Sequence, residues 1–387
     1  MNILYIATYE GLTGASYSLI GLLNEARKFG VNPFVIMLKD GQLKELLEQN
    51  AIEYTIIKGY PWVVDKHLYS DPRKKILWCI KRIYNRIAES KIEKLIREKK
   101  IKLLHINAFT ASIGWLAAKR SGIPCVWHVR EFIEEDLDKV FWSKKQALQK
   151  MVDTDQCIAI SESVKEKFLK LAPNAKIIRI YNGIDTERYE GERVRPIFSS
   201  DVVEIVIAGR IDPAKGHMEL LKALTILDKK GIKNIHVNII GKSQNPKFKK
   251  SLLKFCLDNA IEDRVIFLEF TNDLPKILLQ SDITVVASRA EAFGRVTVEG
   301  MLAGTLTIGS DSMGTKELIG DSYGLLYKQG DPNSLADKIG QALENVEQMK
   351  KIANNSRAFS LSYYTAKRNA REVLDLYNRL YCGDINE

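Results

Sequence analysis

Four charged residues in the second half of the chain have the types and spacing needed to hold a diphosphate between two sugars. Arg210 and Lys215 lie in the loop GRIDPAKGH, after the apolar run VEIVIAG. Arginine grips phosphate oxygens with a planar fork and lysine adds a mobile point charge, so together they can neutralise a diphosphate. Glu291 and Glu299 stand eight residues apart. Eight residues of helix span at most about 12 Å, at about 1.5 Å of rise per residue. This length is similar to the separation of two sugars across a diphosphate, so one carboxylate can reach each sugar.

A helix N-terminus is predicted between the two glutamates. The helix is expected to begin at about Arg295, so the amides of Gly294, Arg295 and Val296 would offer N–H groups to phosphate oxygens. Gly294 lets the backbone approach a ligand closely, and Gly209 ends the strand that leads into the cationic loop. Taken singly, these residues could be surface charges, and Glu299 could be a partner of the helix dipole. The combination favours a phosphate site.

The elements that would position these residues alternate along the chain as strand and helix, which predicts βαβ units with parallel sheets. A polar stretch near 188–200 separates two such sets. We therefore predict an α/β protein with two Rossmann-like, doubly wound domains at 1–188 and 189–365, and a terminal helix at 366–387. The order leaves open whether that helix returns to the first domain. Ligands of such sheets bind beyond the carboxyl ends of the strands, so a cleft between the domains is expected.

Length and composition agree with this organisation. The 387 residues are enough for two domains, and a hydrophobic share of 45% with a charged share of 27% is typical of a globular protein. The opening run MNILYIATYE lacks the features of a signal peptide, and no apolar run is long enough to span a membrane. The five cysteines are scattered, which fits a reducing compartment and excludes metal-type spacing. A cytoplasmic protein is predicted.

A basic amphipathic helix is predicted within residues 73–102. This segment holds twelve Lys or Arg residues against three Glu, with apolar residues at helical spacing. Such a helix could lie on an anionic membrane surface, or its apolar stripe could pack on its own domain. The net charge of +10 is not accompanied by a nucleic-acid-binding motif, so nucleic acid is not predicted as a partner.

In order and spacing, these motifs resemble the retaining glycosyltransferases of family 4, which have two Rossmann-like domains in the GT-B arrangement. The resemblance covers nearly the whole chain. It rests on Glu-x7-Glu at 291–299, Gly-Arg-x4-Lys-Gly at 209–216, Asn-Gly-Ile-Asp at 182–185 and the loop GLTGAS at 11–16.

For the second domain, the resemblance implies a donor site. Glu299 would hold the ribose diol and Glu291 the hydroxyls of the donor sugar, while Arg210 and Lys215 would bind the diphosphate. The reaction implied is a front-face substitution with retention, in which the leaving diphosphate helps to deprotonate the acceptor. It needs no protein nucleophile, no cofactor and no metal, so positioning and charge stabilisation are what the protein supplies.

For the first domain, the resemblance implies that the loop of Gly14 and Ala15 approaches the donor. His128, which we expect to follow the strand PCVWHV, would lie near the transferred sugar. Arg130 and Glu131 come next and could be acceptor-side residues or an ion pair.

Two Asp-x-Asp pairs could suggest a chelated metal, but the pair at Asp153 and Asp155 precedes its strand, at the wrong end for the expected cleft. The other pair is Asp136 and Asp138. Glu269 stands where the family commonly has glycine, close to the segment expected to meet the nucleotide base.

The predicted reaction moves a hexose-type sugar from a nucleotide-diphosphate sugar, with UDP favoured over GDP, to a sugar or lipid-linked acceptor in cell-surface polysaccharide synthesis. The alternatives are a sugar-nucleotide epimerase of the same fold, which would need an acid and base pair on the sugar, and a binding protein without catalysis. A dinucleotide oxidoreductase is disfavoured because GLTGAS lacks the full G-x-G-x-x-G.

Overall fold

The computed structural model of the protein describes residues 1–8, 11–189, 191, 193–243, 245–271 and 273–382. Residues 190 and 192 of the predicted linker and residues 383–387 of the predicted terminal helix lie outside these ranges. The chain forms two compact units, Met1–Ile184 with Thr365–Glu387, and Asp185–Tyr364. No helix in the described ranges is both long enough and apolar enough to cross a bilayer.

The first unit is built on seven parallel strands in the order β3-β2-β1-β5-β6-β8-β9, and a short antiparallel pair, β4 and β7, lies apart from this sheet. The strands are β1 Asn2–Ala7, β2 Asn32–Met37, β3 Glu53–Ile56, β4 Val63–Asp65, β5 Leu103–Ile106, β6 Cys125–Val129, β7 Lys139–Phe141, β8 Gln156–Ala159 and β9 Ile177–Arg179. The helices are α1 Gly14–Lys28, α2 Leu43–Gln49, α3 Pro72–Glu98, α4 Trp115–Ser121, α5 Lys144–Val152 and α6 Glu162–Leu171.

The second unit repeats the plan with six parallel strands in the order β12-β11-β10-β13-β14-β15. The strands are β10 Val203–Ala208, β11 Ile235–Ile240, β12 Val265–Leu268, β13 Ile283–Val286, β14 Leu306–Ser310 and β15 Leu325–Tyr327. The helices are α7 His217–Lys229, α8 Pro246–Asp258, α9 Leu274–Gln280, α10 Arg295–Ala303, α11 Met313–Ile319, α12 Pro332–Glu344 and α13 Val346–Tyr363. Two doubly wound parallel sheets are therefore present, which confirms the predicted fold class.

The last helix, α14 (Ala366–Cys382), belongs to the first unit. It packs against α1, and its buried side chains Val373 and Tyr377 join the core of that unit. The side-chain amide of Asn369 donates to the carbonyl oxygen of Tyr181 at 2.7 Å, close to where the chain leaves the unit. The chain thus returns to its first unit after completing the second.

The segment at 193–200, within the predicted linker, is fixed to the second unit by a buried carboxylate. Asp282 accepts two bonds from the guanidinium of Arg195, at 3.0 and 2.9 Å, and others from the backbone amides of Phe198 and Glu204. A charge that is fully buried needs such compensation. The boundary between the units consequently falls at Ile184 and Asp185, earlier than the predicted 188.

The core of the first unit is rich in aromatic side chains. Trp62 stacks on Trp127 with ring centroids 5.3 Å apart, and both pack edge-on against Phe109. Each indole N–H donates to a backbone carbonyl, as buried tryptophans require. All five tryptophans of the chain belong to this unit.

Candidate active site

The predicted cationic loop follows β10 and packs against the loop that follows β13. Gly216 has a φ of +74°, and a Cβ atom there would lie 2.3 Å from the carbonyl oxygen of Ala287, so only glycine fits. The amide of Arg289 donates to the carbonyl of Ala214 at 2.8 Å, which ties the two loops together. The carboxyl ends of β10 and β13 therefore meet at one place in the second sheet.

This place is the switch point of the second sheet, because β10 pairs with β11 on one side and with β13 on the other. Ligands of open α/β sheets bind at such points. The topology therefore brings the loop of Lys215 and the loop of Glu291 to the position where the fold favours a ligand.

Lys215 and Glu291 are bonded directly to each other. The Lys215 Nζ atom lies 2.5 Å from Glu291 Oε1, and the hydroxyl of Ser288 donates to the same oxygen at 2.6 Å. Burial alone would raise the pKa of Glu291, but Lys215, Ser288 and the nearby Arg210 together hold it below its ordinary value. Glu291 is therefore ionised at neutral pH, and Lys215 is held in place by it.

Each of the other two predicted charges has an ion-pair partner of its own. Arg210 is about half exposed, and its Nε atom lies 3.3 Å from the carboxylate of Asp212. Glu299 is buried on α10, where Arg295 donates to it at 2.8 Å from one helical turn earlier.

The helix α10 begins where predicted, at Arg295. Gly294 precedes it with a φ of +91°, a left-handed conformation that favours glycine, and no side chain caps the helix. Val296 follows in the first turn, where backbone N–H groups point along the axis away from the helix. An anion at this end would complement the helix dipole.

Sequence reasoning missed two polar residues of this site. Ser288 orients Glu291, and Asp212 holds Arg210. Both had a signal in the sequence, because Ser288 ends the apolar run ITVVAS and Asp212 lies within GRIDPAKGH. A carboxylate beside Arg210 was not expected at a phosphate site.

In the first unit, α1 begins at Gly14 and is capped by its neighbours. The Thr13 hydroxyl accepts from the amide of Ser16, and the Ser16 side chain accepts from the amide of Thr13. This reciprocal capping box fixes the first turn. Gly14 is exposed and Ala15 half-buried at the start of the helix.

The expected position of His128 is wrong. His128 lies inside β6 and is fully buried. The strand ends at Val129, so the first residue beyond it is Arg130. Burial, and then the charge of Arg130, lower the pKa of His128 well below its usual range, so the imidazole is neutral. His128 Nδ1 lies 3.2 Å from Nε2 of His105, which is on the neighbouring strand β5.

Arg130 occupies the carboxyl end of β6 and is buried among polar groups. Its guanidinium donates to the side chain of Asn107 at 2.9 and 3.0 Å and to that of Asn182 at 2.6 Å. Glu131 accepts from the amide of Phe109, and burial followed by the charge of Asp136 raises its pKa well above its usual range. Arg130 is thus the central donor of a cluster of polar side chains at the carboxyl end of the first sheet.

Two of the acidic residues noted in the sequence, Asp136 and Asp155, accept hydrogen bonds from backbone amides. Asp136 accepts from the amides of Phe132 and Ile133 at 2.9 and 2.8 Å, and Asp155 accepts from the amide of Cys125. The structure, as far as it describes the chain, has no cluster of three or more metal-ligating side chains. The exposed Glu269 follows β12 and lies 3.2 Å from Lys249.

Family models match both units. One described as Glycosyltransferase Family 4 matches residues 12–188, and one described as Glycosyl transferases group 1 matches residues 192–359. Together they span most of the chain.

The chain is similar to several known proteins. An uncharacterized glycosyltransferase of Methanocaldococcus jannaschii is 27% identical over 54% of this chain and 56% of its own length. N-acetylgalactosamine-N,N'-diacetylbacillosaminyl-diphospho-undecaprenol 4-alpha-N-acetylgalactosaminyltransferase of Campylobacter jejuni is 27% identical over 50% and 52%. The chain therefore aligns with about half the length of these relatives.

A similar solved structure is that of Anabaena HepE in complex with UDP and glucose. It has a TM-score of 0.79 at 22% identity and covers 98% of this chain and 99% of its own. At that identity the likeness concerns the fold.

Proposed function

Since this chain belongs to glycosyltransferase family 4 and has the GT-B fold, we propose that it transfers a hexose-type sugar from a nucleotide-diphosphate sugar with retention of configuration. The acceptor is a sugar or a lipid-linked acceptor in cell-surface polysaccharide synthesis. The reaction needs no metal.

The observation that carries this proposal is the pairing of Lys215 with Glu291 at the switch point of the second sheet. A diphosphate beside this pair would meet the ammonium of Lys215 and the half-exposed guanidinium of Arg210. Glu291, ionised and fixed by Ser288, is an acceptor for sugar hydroxyl groups. Glu299 would take the ribose diol, one turn into α10.

In the proposed reaction, the bond between the anomeric carbon and the diphosphate oxygen breaks, and its electron pair leaves with the diphosphate. The acceptor oxygen bonds to the same face of that carbon, and its proton passes to the departing phosphate. Negative charge thus develops on the leaving group, where cations lower the barrier most. Lys215 and Arg210 are the residues of this chain that would take that charge.

The donor we favour is a UDP-sugar, and a GDP-sugar is the second candidate. The crystal structure of HepE, which has a similar fold, contains UDP and glucose. The lipid-linked acceptor is supported by the Campylobacter relative, whose name includes a diphospho-undecaprenol substrate. Such an acceptor would place the enzyme at the inner face of the cytoplasmic membrane.

The test is sugar transfer and donor hydrolysis by the full chain with a panel of UDP- and GDP-sugars. Lys215→Ala is expected to lower turnover by about 100 to 1000-fold, as the loss of one electrostatic donor does elsewhere. Lys222→Ala, an exposed lysine on α7, is the matched control and should retain activity. Activity should also persist in EDTA. Unchanged turnover in Lys215→Ala would refute the donor site, and loss in EDTA with recovery in Mn²⁺ would refute the metal-free reaction.

A further inference from the structure

Helix α3 is attached to the first unit by only part of its length. Its buried residues are Ala88, Glu89, Ile92 and Ile96, all in the C-terminal half. None of residues 72–87, which form more than four turns, is buried. The alternative left open by the sequence, in which the whole apolar stripe packs on its own domain, therefore does not apply to this half.

The exposed half of α3 carries large apolar side chains on one face. Six of them are between 41% and 65% exposed: Ile76, Leu77, Ile80, Ile83, Tyr84 and Ile87. At about 100° per residue they occupy an arc of about 120°, the width of a face that is normally covered. We call these six residues the α3 apolar face. Proteins seldom leave such a contiguous patch open unless it binds something.

The orientation of the α3 apolar face is fixed by contacts with Tyr60 at one edge of the face, where the Tyr60 ring packs edge-on against Tyr84 with ring centroids 6.0 Å apart. The side-chain amide of Asn85 donates to the carbonyl of Tyr60 at 3.0 Å, and its oxygen accepts from the amide of Tyr60 at 2.9 Å. Lys81 lies over the ring of the same tyrosine. The helix cannot roll to bury its apolar face against the unit without breaking these contacts.

Cations flank the α3 apolar face on both edges. Residues 72–87 contain six Lys or Arg and no acidic residue. On the helical wheel, Lys75, Arg82 and Arg86 lie along one edge, Lys74 and Lys81 along the other, and Arg73 at the N-terminal end of the face itself. Their alkyl stems can cover apolar surface while their charges reach a layer of anionic headgroups.

Aromatic side chains cluster on the other side of α3, where Trp78 lies about 160° around the helix from the centre of the α3 apolar face. Trp142 packs against Trp78 with ring centroids 5.9 Å apart and against Tyr69 at 5.8 Å. Tyr69 is 41% exposed. These rings hold the N-terminal part of α3 against the segment that follows β7 and leave the α3 apolar face uncovered.

We propose that the α3 apolar face docks in the surface of a lipid bilayer that contains anionic lipids, with the helix parallel to the membrane plane. The apolar side chains enter the acyl boundary, and the flanking cations meet the headgroups. A second copy of the chain is a poor occupant, because each face would bring six cations against six others. The inference deepens the proposed function by giving a lipid-linked acceptor its surface, yet binding can be measured without transfer.

The test is co-sedimentation of the full chain with phosphatidylcholine vesicles that contain or lack phosphatidylglycerol. We compare wild type with Ile80→Asp/Ile83→Asp. The control is Leu253→Asp/Leu257→Asp on α8, where the two leucines are 42% and 64% exposed. Wild type and control should bind the anionic vesicles, while the α3 double variant should lose at least about tenfold in partitioning, given what burial of two isoleucines contributes.

Retained binding by the α3 double variant, or equal binding to both kinds of vesicle, would overturn the proposal. So would light scattering showing that wild type is a dimer and the α3 variant a monomer, because the face would then join two copies. Thermal stabilisation by UDP, measured on the same preparations, separates this proposal from the donor site. If UDP does not stabilise the wild-type chain while vesicle binding is intact, the result counts against the proposed function alone.

Discussion

The pair of Lys215 and Glu291 shows how one residue can fix another for chemistry. The lysine is only partly exposed, and the carboxylate beside it removes the cost of leaving an ammonium ion uncompensated. The hydroxyl of Ser288 and the nearby Arg210 help to keep that carboxylate ionised. A cation held in this way needs little rearrangement when charge develops on a leaving group.

Glu291→Gln is expected to lower the free energy of unfolding by about 2 kcal/mol at pH 7, since a hydrogen bond to a charged group is lost. The folded pKa of Glu291 lies below its ordinary value of 4.5, so its contribution is present above that pH and disappears as pH falls through the folded pKa. The difference between variant and wild type should therefore be constant at neutral pH and narrow below 4.5. Urea unfolding at several pH values measures it.

Glu347→Gln is the matched control. Glu347 pairs with Lys350 at 2.7 Å, but it is 80% exposed, so solvent screens the pair and the variant should unfold like wild type. An equal effect of the two variants, or a Glu291→Gln difference that grows in acid, would contradict the account of Glu291.

Helix α14 connects to the first sheet through a chain of polar side chains. The hydroxyl of Tyr377 lies 2.6 Å from His105 Nδ1, and His105 Nε2 lies 3.2 Å from His128 Nδ1. The guanidinium of Arg130, which can only donate, lies 3.2 Å from the same His128 atom. His128 Nδ1 must therefore carry a lone pair. His105 Nε2 must then carry the proton that it donates to His128. Because His105 is neutral, its Nδ1 is an acceptor, and the hydroxyl of Tyr377 donates to it.

Tyr377→Phe should accordingly leave His105 Nδ1 buried without a donor. We expect the free energy of unfolding to fall by about 1–3 kcal/mol. In the ¹⁵N spectrum, His105 should keep its proton on Nε2, which still donates to His128, while its Nδ1 resonance moves toward that of a lone pair without a donor. Tyr381→Phe, at a tyrosine on the same helix that is 49% exposed, should change neither quantity. A proton found on His105 Nδ1 in the wild type would show that the direction of this chain is wrong.

At the scale of elements, most of the fold could be predicted because strands and helices have different hydrophobic periods. The starts of α7 at His217 and α10 at Arg295 could be predicted because a glycine comes directly before each helix. His128 could not be placed, because the last polar residue of an apolar run can lie inside the strand or beyond it. The partners of Glu299 and Arg130 come from tertiary packing and side-chain rotamers, which a sequence pattern does not encode.

At the scale of the whole molecule, the chain builds one plan twice and uses each copy differently. In the second unit, the switch point carries the Lys215 and Glu291 pair. In the first unit, the end of β6 carries a buried Arg130, and α3 carries the exposed apolar face. The fold supplies the same kind of sheet twice, and the loops and outer helices decide what each unit can bind.

The distribution of tryptophan has a spectroscopic consequence. All five indoles belong to the first unit, so intrinsic fluorescence reports that unit, whereas far-ultraviolet circular dichroism reports the helices of both. A ligand at 100 times its dissociation constant stabilises its binding unit by roughly 2.7 kcal/mol. Saturating UDP should therefore move the urea transition seen by circular dichroism further than the one seen by fluorescence.

Equal shifts with both probes would mean that the two units unfold as one, or that the donor is held by the first. The unmodified chain thus carries an optical label on one unit only, and the difference between the two signals is a measure of the other.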